Sequence, residues 1–289
     1  MPASPSARIV ATTTLFGHRI YVDPADFIGR KILRDRIFEK KNLDVLQPIL
    51  ERLRPRTILD IGANIGNHAL AWAGSCLRLY AFEPGSGAYA LLERNISENG
   101  LGHLHALNFG LSDTDAQRTL YLNTQGNLGA SSLHHRGDGS MEETVRLRRG
   151  DDYLREQGIR DIDFIKIDVE GHERQAFTGL KAALLENRPV VQAEWDANSS
   201  SREWVDDPAF MAGLFPDYDI YAFVRETDRA YWLGKPWGRL RRAAMRLGRW
   251  NRRLALVRFD AIANRSRVKD LLLVPREKGD VLANARMLT

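Results

Sequence analysis

The stretch "ILDIGANIGNHAL" (residues 58–70) has the pattern of a buried strand, a glycine turn and the start of a helix. Gly62 and Gly66 let the backbone approach a ligand at positions where a Cβ atom would collide. The helix that begins behind them offers free N–H groups at its N-terminus. The two glycines therefore predict a ligand-binding turn after the first strand of an α/β sheet.

The spacing of these glycines separates two classes of ligand. A dinucleotide fingerprint has the form G-x-G-x-x-G and brings the backbone against a pyrophosphate. Here the glycines form G-x-x-x-G without the middle glycine, and Asp60 precedes them by two residues. An acid in this place opposes a phosphate and suits a positively charged ligand.

Glu83 supplies the second half of the pattern. It lies 21 residues after Gly62, at the end of the next predicted strand, where a carboxylate can accept hydrogen bonds from a ribose diol. A nucleoside with ribose hydroxyls, no phosphates and a positive charge is S-adenosylmethionine, and we expect this cofactor. The alternative is a tight turn between strand and helix, with Glu83 as a solvated strand end.

Apolar runs alternate with helical patterns from about residue 56 onward. Near-continuous apolar strands separated by helices indicate an α/β fold, a mostly parallel sheet with helices on both faces. The last two strands lack a clear short crossover, so they are predicted to form an antiparallel edge pair. The seven predicted strands are "TILDIG" (57–62), "LRLYAFEP" (77–84), "LHALNFGLS" (104–112), "DFIKIDVE" (163–170), "PVVQAEWD" (189–196), "DIYAFV" (219–224) and "DLLLVP" (270–275).

The chain is predicted to have two parts. Residues 1–50 form an N-terminal segment, with a strand and helices, that packs on the core, and residues 51–289 form the main domain. Residues 121–149 are polar and rich in glycine, so we expect a loop or hairpin over the sheet edge. Residues 235–258 are expected to be a basic helical insertion.

The stretch "IKIDVEGHE" (165–173) ends a predicted strand with several ionisable groups. Ligands of an open α/β sheet lie beyond the carboxyl ends of its strands, near the point where the strand order reverses. We expect this fourth strand to lie beside the first, which brings Asp168, Glu170 and His172 to the cofactor. A negative charge there attracts a cationic cofactor, and a base can take the proton of an attacking hydroxyl.

Three catalytic roles follow from these side chains. His172 is the first choice for the base, because its pKa lies nearest neutral pH and flanking acids are expected to raise that pKa. Glu170 is the second choice, and Asp168 is expected to orient the cofactor or a hydroxyl of the acceptor. The alternative for His172 is a structural histidine that caps the following helix.

Other acids have open roles. Asp168 and Glu194 end neighbouring predicted strands, and with Glu170 they could bind Mg²⁺ or Mn²⁺ through oxygen ligands. Both acids also have cofactor and hydrogen-bonding explanations, so we assign no metal ligand. Glu39 and the turn at residues 127–135 are candidates for the wall of the acceptor site, although a solvated loop explains the histidines of that turn equally well.

Several of these motifs occur together in one known family. "DIGANIGNHAL" (60–70), "FEP" (82–84), "GLSD" (110–113) and "IKIDVEGHE" (165–173) resemble the FkbM family of S-adenosylmethionine-dependent methyltransferases. The resemblance covers roughly residues 35–225. It implies a class I methyltransferase (Rossmann-like) fold and methylation of a hydroxyl oxygen, often on a sugar or a polyketide.

The resemblance also assigns residues to the cofactor by position. The glycine turn and the end of the second strand would hold it through Gly62, Asn64, Gly66 and Glu83. Three residues after the third strand would lie near the adenine: Asn108, Ser112 and Asp113. Asp60, the acid ahead of the turn, completes the predicted cofactor set. Residues 226–262 depart from the family pattern, being longer and richer in arginine than expected, which leaves the substrate and location open.

Composition excludes several other classes of protein. With 44% hydrophobic and 27% charged residues, the 289-residue chain is that of an ordinary globular protein. The single cysteine, Cys76, excludes an internal disulfide and a cysteine-rich zinc site. The chain lacks a signal-peptide pattern, and no window approaches the roughly 18 apolar residues of a membrane span, so we expect a cytoplasmic protein.

Positive charge is concentrated in one segment. The formal net charge is +5, but residues 235–258 hold nine basic side chains and no acid, and the remainder carries a net charge of −4. On a helical projection of residues 236–256, Trp237 and Trp250 lie opposite most of the arginines. This face is either a solvated surface or a contact with anionic lipid, a phosphorylated glycan carrier or nucleic acid. The tryptophans favour the membrane interface.

These features predict a cytoplasmic S-adenosylmethionine-dependent O-methyltransferase. The expected acceptor is a sugar in a surface glycan or glycolipid, met at the inner face of the membrane through residues 236–256. Methylation of RNA or of a polyketide-type small molecule is an alternative, although no aromatic-basic stacking motif supports nucleic acid as a partner. A ligand-binding protein that kept the fold is the non-enzyme alternative, and the intact acids of residues 167–173 argue against it.

Overall fold

The computed structural model of the protein describes residues 9–123, 131–134, 141–195, 204–225, 253–261 and 268–288. The strands in these ranges are β1 (Val10–Thr13), β2 (Arg19–Val22), β3 (Thr57–Ile61), β4 (Arg78–Phe82), β5 (Leu104–Leu107), β6 (Gly110–Ser112), β7 (Ala116–Leu122), β8 (Met141–Arg149), β9 (Ile162–Ile167), β10 (Val190–Glu194), β11 (Tyr218–Arg225), β12 (Leu254–Arg258) and β13 (Asp270–Pro275). The helices are α1 (Phe27–Asp35), α2 (Lys40–Leu53), α3 (Asn67–Trp72), α4 (Ser86–Ser97), α5 (Gly150–Glu156), α6 (Glu173–Gly179), α7 (Lys181–Asn187) and α8 (Pro208–Leu214). Short 3-10 helices cover Phe259–Ala261 and Arg276–Leu282.

The main sheet has eight strands within the described ranges, in the order β12-β11-β13-β10-β9-β3-β4-β5. The strands from β10 to β5 pair in parallel, whereas β13, β11 and β12 join the edge through antiparallel pairings. The chain order reverses between β3 and β9, which are parallel neighbours in the middle of the sheet. The mostly parallel sheet, its antiparallel edge and the contact between the first and fourth predicted strands are therefore confirmed.

The number of strands differs from the seven predicted, because β12 is an eighth strand at the antiparallel edge. It lies within residues 235–258, where the sequence pattern predicts a helix. Ala255, Leu256 and Val257 are all buried, and β12 pairs with β11. Consecutive apolar residues satisfy a strand that is buried on both faces better than a helix with one apolar face. Residues 226–252 lie outside the described ranges, so a basic helix there stays a prediction.

The third predicted strand, residues 104–112, is divided between two sheets. β5 belongs to the main sheet, and β6 pairs with β8 in a separate sheet of order β6-β8-β7. The break falls at a tight turn in which the Phe109 N–H donates to the Leu107 carbonyl oxygen at 3.0 Å. β7 and β8 pair antiparallel, as the strands of a hairpin do, and residues 124–130 and 135–140 between them lie outside the described ranges.

Helices cover both faces of the main sheet, with an apolar core on each face. One core packs α5, α6 and α7 against residues that include Leu59 and Ile165. The other packs α2, α3 and α4 against residues that include Ile58 and Phe164. Adjacent residues of a strand point to opposite faces, so near-continuous apolar strands supply both cores at once.

The N-terminal segment packs on the core through its own apolar cluster. Val22, Ile28 and Ile32 belong to a cluster that also contains Ile65 and Leu70 beside the glycine turn. Since α2 continues past residue 50, the division of the chain into residues 1–50 and 51–289 stays a prediction. In the part of the chain that the structure describes, no helix is long and apolar enough to span a bilayer.

Candidate active site

Polar side chains gather at the carboxyl ends of the central strands, in two rows on one face of the main sheet. Residues that pair across neighbouring strands point to the same face, and so do residues two positions apart on one strand. The first row contains Asp60, Lys166 and Gln192, and the second contains Asp168, Glu194 and Asp270. Asn42 of α2 donates a hydrogen bond to Asp270 at 3.0 Å, so α2 covers this face.

A cavity of about 290 Å³ opens beside these rows. Its walls come from the glycine turn after β3, the end of β4, the residues that follow β9 and the N-terminal segment. The polar and aromatic residues of its lining include Phe27, Phe38, Glu39, Asn64, Glu83, Lys166, Asp168, Glu170, His172, Glu194 and Asp270. The cavity therefore brings the three predicted catalytic residues together with Gly62, Asn64 and Glu83 of the predicted cofactor set.

The glycine turn is built on positive backbone angles. Gly62, Asn64 and Gly66 have φ angles of 77°, 50° and 86°, a region that favours glycine. A Cβ atom on Gly62 would lie 1.8 Å from the carbonyl oxygen of Asp168, and one on Gly66 would lie 2.8 Å from a methyl carbon of Leu92. The backbone contact thus requires glycine at position 62, and the positive φ angle favours glycine at position 66. Direct contact of either glycine with a cofactor stays a prediction.

Glu83 lies at the end of β4 and faces the cavity. Its Oε2 accepts a hydrogen bond from the Asn64 N–H at 2.9 Å, and its Oε1 accepts one from the Gly85 N–H at 2.8 Å. Burial raises the pKa of Glu83 to about 7, although both amides favour the charged form. Asn64 therefore contributes its backbone N–H, while its side chain accepts from the adjacent Ile65 N–H at 2.7 Å.

The three residues predicted near the adenine do not line the cavity. Asn108 donates through its side-chain amide to the carbonyl oxygens of Glu83 and Pro84, at 3.0 and 3.1 Å. Ser112 and Asp113 instead belong to the hydrogen-bond chain of His172. The wall in this region is formed by Gly110 and Leu111, so contact of Asn108, Ser112 and Asp113 with the cofactor stays a prediction.

His172 is held by protein side chains at both ring nitrogens. Its Nε2 is 2.9 Å from Ser112 Oγ, and its Nδ1 is 3.0 Å from His134 Nε2. Ser112 donates its only hydroxyl proton to Asp113 at 3.0 Å, so His172 Nε2–H donates to Ser112, and Nδ1 accepts from His134. Burial, together with His134, lowers the pKa of His172 to about 4. The expectation that flanking acids raise this pKa is therefore wrong. His172 does occupy the N-cap position of α6, but its side chain makes no capping bond.

Three carboxylates lie together at the ends of β9 and β10. Asp168, Glu170 and Glu194 each offer an oxygen within 4.8 Å of the others. Burial and mutual repulsion raise the pKa of Glu194 to about 10 and that of Glu170 to about 7. For Asp168, burial is outweighed by the Lys166 ammonium, which holds the pKa below its usual value. Oxygen donors of this kind suit Mg²⁺, but the prediction of no metal ligand stays untested.

Lys166 is the site residue that sequence reasoning missed. Its side chain is 2% exposed, and its Nζ lies 3.2 Å from Asp168 Oδ2 and 3.6 Å from Asp60 Oδ1. Asp60 is fully buried beneath the cavity lining, and neither carboxylate oxygen has a hydrogen-bond partner. The signal was present in "DFIKIDVE", because a lysine inside an apolar strand needs a buried acid as a partner.

Glu39 lies at the predicted wall of the cavity. It precedes α2 with a φ angle of 51°, and its Oε2 is 3.5 Å from the buried His68 Nε2. Burial, followed by repulsion from Asp270, raises its pKa to about 8. Of the turn at residues 127–135, the structure describes 131–134, and Ser131 and Leu133 line the cavity. The assignment of this wall to an acceptor stays a prediction.

Three features together define a class I methyltransferase fold. The parallel sheet reverses its order between the first and fourth predicted strands, a glycine turn follows the first strand, and an acid ends the next strand. The family model of the methyltransferase FkbM domain matches residues 60–226, more than half of the chain. The protein belongs to this family of methyltransferases, and the resemblance inferred from its motifs is confirmed.

Two curated relatives share most of this region. Methyltransferase sdnD of Sordaria araneosa is 29% identical over 204 residues, which cover 60% of this chain and 75% of the relative. Hexuronic acid methyltransferase AglP of Haloferax volcanii is 28% identical over 178 residues, which cover 61% of this chain and 70% of the relative. A crystal structure of methyltransferase FkbM from Methylobacillus flagellatus KT is 22% identical and covers 58% of this chain and 39% of that one, with a TM-score of 0.42.

Proposed function

We propose that the protein is an S-adenosylmethionine-dependent O-methyltransferase in which Glu170 takes the proton of an acceptor hydroxyl. One observation carries the proposal. Glu83 and the glycine turn line the same cavity as a cluster of carboxylates, one of which has a pKa near neutrality. An acid that can hold a ribose and an acid that can act as a base thus face one space, as transfer of a group from a nucleoside requires.

The residues of the cavity fit the cofactor. Glu83 keeps unused lone pairs beyond its two amide hydrogen bonds, and a ribose diol can donate to them. Asp168 is charged beside Lys166, and a carboxylate favours a positively charged ligand. When bound, the cofactor would supply a methyl group on a positively charged sulfur, and Glu83, Asp168 and the turn at Asn64 are the residues that would hold it.

Glu170 fits the role of base better than His172. Burial and repulsion by Asp168 and Glu173 raise its pKa to about 7, where a general base combines sufficient basicity with the deprotonated state. His172 has both ring nitrogens engaged by other side chains and a lowered pKa. We therefore move the proposed base from His172 to Glu170, and Asp168 keeps its predicted orienting role.

The backbone at Glu170 also favours a functional role. Glu170 has a φ angle of 51° and Gly171 one of 100°, although a glutamate disfavours the left-handed region. Strained residues of this kind persist where the surrounding structure fixes them, and they concentrate at active sites. The Ser132 hydroxyl donates to the Glu170 carbonyl oxygen at 3.1 Å and helps to fix this conformation.

The acceptor in this proposal is a hydroxyl of a sugar in a surface glycan or glycolipid. Support comes from the relative in Haloferax volcanii, which is named as a hexuronic acid methyltransferase. Contact of residues 236–256 with an anionic membrane at the cytoplasmic face belongs to the same proposal, and it rests on the arginine-rich sequence of that segment.

The test has two stages. Isothermal titration with S-adenosylmethionine and with its demethylated product is expected to give binding of both. Transfer of a labelled methyl group is then measured with nucleotide sugars, lipid-linked glycans, RNA and polyketide-type alcohols. We expect uptake on a sugar hydroxyl. Failure to bind either nucleoside contradicts the cofactor, whereas exclusive methylation of RNA, of a polyketide-type alcohol or of a nitrogen atom contradicts the proposed acceptor.

A further inference from the structure

Lys166 is a buried cation in the lining of the candidate active site. Its side chain is 2% exposed, and it occupies the fifth position of the strand Ile162–Ile167, which is otherwise largely apolar. Burial of an ammonium is costly unless nearby groups compensate its charge and satisfy its three donors. The groups around Lys166 therefore indicate the role of its positive charge.

Three oxygens surround the Lys166 ammonium. Its Nζ lies 3.2 Å from Asp168 Oδ2 and 3.6 Å from Asp60 Oδ1, and it donates a hydrogen bond to the Gly62 carbonyl oxygen at 3.3 Å. The ammonium thus donates a hydrogen bond to the Gly62 carbonyl oxygen and forms ion pairs with the two carboxylates. Gly62 and Asp168 border the crevice from β3 and β9, and Lys166 connects the two.

Acidic groups around Asp168 outnumber the two lysines of the cavity lining, Lys166 and Lys269. Glu170 and Glu194 offer oxygens within 4.8 Å of Asp168, and Asp60 lies on the other side of the ammonium. Like charges at such distances favour protonation of one partner. Lys166 is the cation in direct contact with Asp168 among the described residues, so it offsets this repulsion.

We propose that Lys166 is a positioning residue that keeps Asp168 ionised at the crevice, so that the site binds the positively charged methyl donor in preference to the neutral demethylated product. This inference rests on the proposed function. The two nucleosides differ by the methyl group and by the charge on sulfur, and a carboxylate distinguishes that charge whereas a protonated carboxyl does not. Lys166 thus acts through Asp168 and needs no contact with either nucleoside.

The experiment compares the dissociation constants of S-adenosylmethionine and of its demethylated product in the wild-type protein and in Lys166→Met. We expect the preference for the charged donor to fall about tenfold, a change typical of one close charge pair in a partly solvated site. Binding of the neutral product is expected to change less than about threefold. The apparent pKa of kcat/KM is expected to rise in the variant, because the acids near Asp168 lose their cation.

The matched control is Lys278→Met. Lys278 is half-buried and donates to the carbonyl oxygens of Asn187 and Arg188, at 3.3 and 2.6 Å, before the start of β10. It lies at the opposite end of the strands, so its loss is expected to leave the ratio of the two dissociation constants unchanged.

A second variant tests the inference if Lys166→Met does not fold. Lys166→Met combined with Asp60→Asn removes a buried pair rather than leaving a lone buried acid, so it is expected to fold more readily. Asp168 still loses its contacting cation, and we expect the preference to fall here as well. Equal loss of affinity for both nucleosides, or an unchanged ratio in either folded variant, overturns the inference. If the wild-type protein binds neither nucleoside, the proposed function itself fails.

Discussion

The two turns that border the cavity are similar in backbone and different in chemistry. The glycine turn after β3 has Asn64 in the left-handed region, between Gly62 and Gly66, and the acidic turn after β9 has Glu170 there, followed by Gly171. All three glycines also have positive φ angles. At the glycine turn, the carboxylate of Glu83 is held by two backbone amides. At the acidic turn, Asp168 and Glu170 lie among other carboxylates, and their pKa values are displaced in opposite directions.

This difference indicates that the two turns have different roles at the cavity. A carboxylate that is fixed by amides is preorganised to hold a ligand, and for Glu83 the two amides favour the charged form against the burial that raises its pKa to about 7. Carboxylates whose pKa values are driven apart by burial and repulsion can supply one charged group and one group that exchanges a proton near neutral pH. We therefore expect changes at Glu83 and at Asp168 to affect binding of the cofactor, and a change at Glu170 to affect turnover.

The largest expected effect follows from Glu170→Gln. An amide has nearly the shape of the acid but cannot take a proton, so kcat is expected to fall about 10²- to 10⁴-fold. The dissociation constant of S-adenosylmethionine, measured by titration, is expected to stay within about threefold. Glu277→Gln is the control, because Glu277 pairs with Arg188 at the opposite end of the strands. If Glu170→Gln keeps full turnover, Glu170 is not the base.

Glu83→Gln is the counterpart at the glycine turn. It replaces the carboxyl that faces the cavity and leaves one backbone amide without an acceptor, so affinity for S-adenosylmethionine is expected to fall about 10- to 100-fold. At saturating cofactor, kcat is expected to change only slightly. Steady-state kinetics over a range of cofactor concentrations separates the two effects. A loss confined to kcat would contradict the proposed role of Glu83 in binding the cofactor.

The His172→Ala variant is expected to have an intermediate effect. Ser112 and His134 each lose a hydrogen-bond partner, so the free energy of unfolding is expected to fall by about 1–2 kcal/mol. Turnover should fall less than about tenfold, because His172 positions the acidic turn and is not the base in our proposal. Urea denaturation and kcat are measured on the same sample. A loss of turnover as large as that of Glu170→Gln would restore His172 as the base.

A further expected effect is a pH dependence of stability. The folded-state pKa values of Glu39, Glu170 and Glu194 are raised to about 8, 7 and 10 from a value of 4.5 in the absence of burial. The folded state thus holds these protons more tightly than the unfolded state does. Their contribution to stability is complete below pH 4.5 and is lost as pH rises through each folded-state pKa.

The measurement is urea denaturation of the free protein between about pH 5 and 9. We expect the free energy of unfolding to decline across this range. The Glu170→Gln variant should decline less steeply near pH 7, because one of the titrating groups is absent. A flat profile in the wild-type protein would show that the acids are ionised throughout, and the proposed separation of pKa values would then be lost.

Much of the fold could be predicted from local sequence patterns. Near-continuous apolar runs gave the strands of the parallel sheet, and the glycine turn and the motif at residues 165–173 placed β9 beside β3. The eighth strand was missed, because Leu254 continues the apolar face of the preceding helical pattern, and only the pairing with β11 shows that residues 254–258 form a strand. The apolar pattern of one segment does not show which strand it will pair with, and that pairing decides between helix and strand.

The candidate site was predicted in part. Asp168, Glu170 and Glu83 line one cavity, and their roles stay predictions, whereas the predicted direction of the pKa shift of His172 was wrong. That shift depends on burial and on His134, which lies 38 residues earlier in the chain. Sequence spacing indicates which ionisable groups approach the end of a strand, but it does not give their degree of burial.

The sequence by itself determined the family, the strands of the parallel part of the sheet, and the acids at the ends of those strands, because these depend on residue types at fixed short separations. Only the tertiary structure decided which of those acids carry a proton. That outcome depends on burial and on distances of 3–5 Å between groups on different strands, such as Lys166, Asp60 and Asp168. Electrostatic energies change steeply over such distances in a buried site, so the roles of the acids follow from packing.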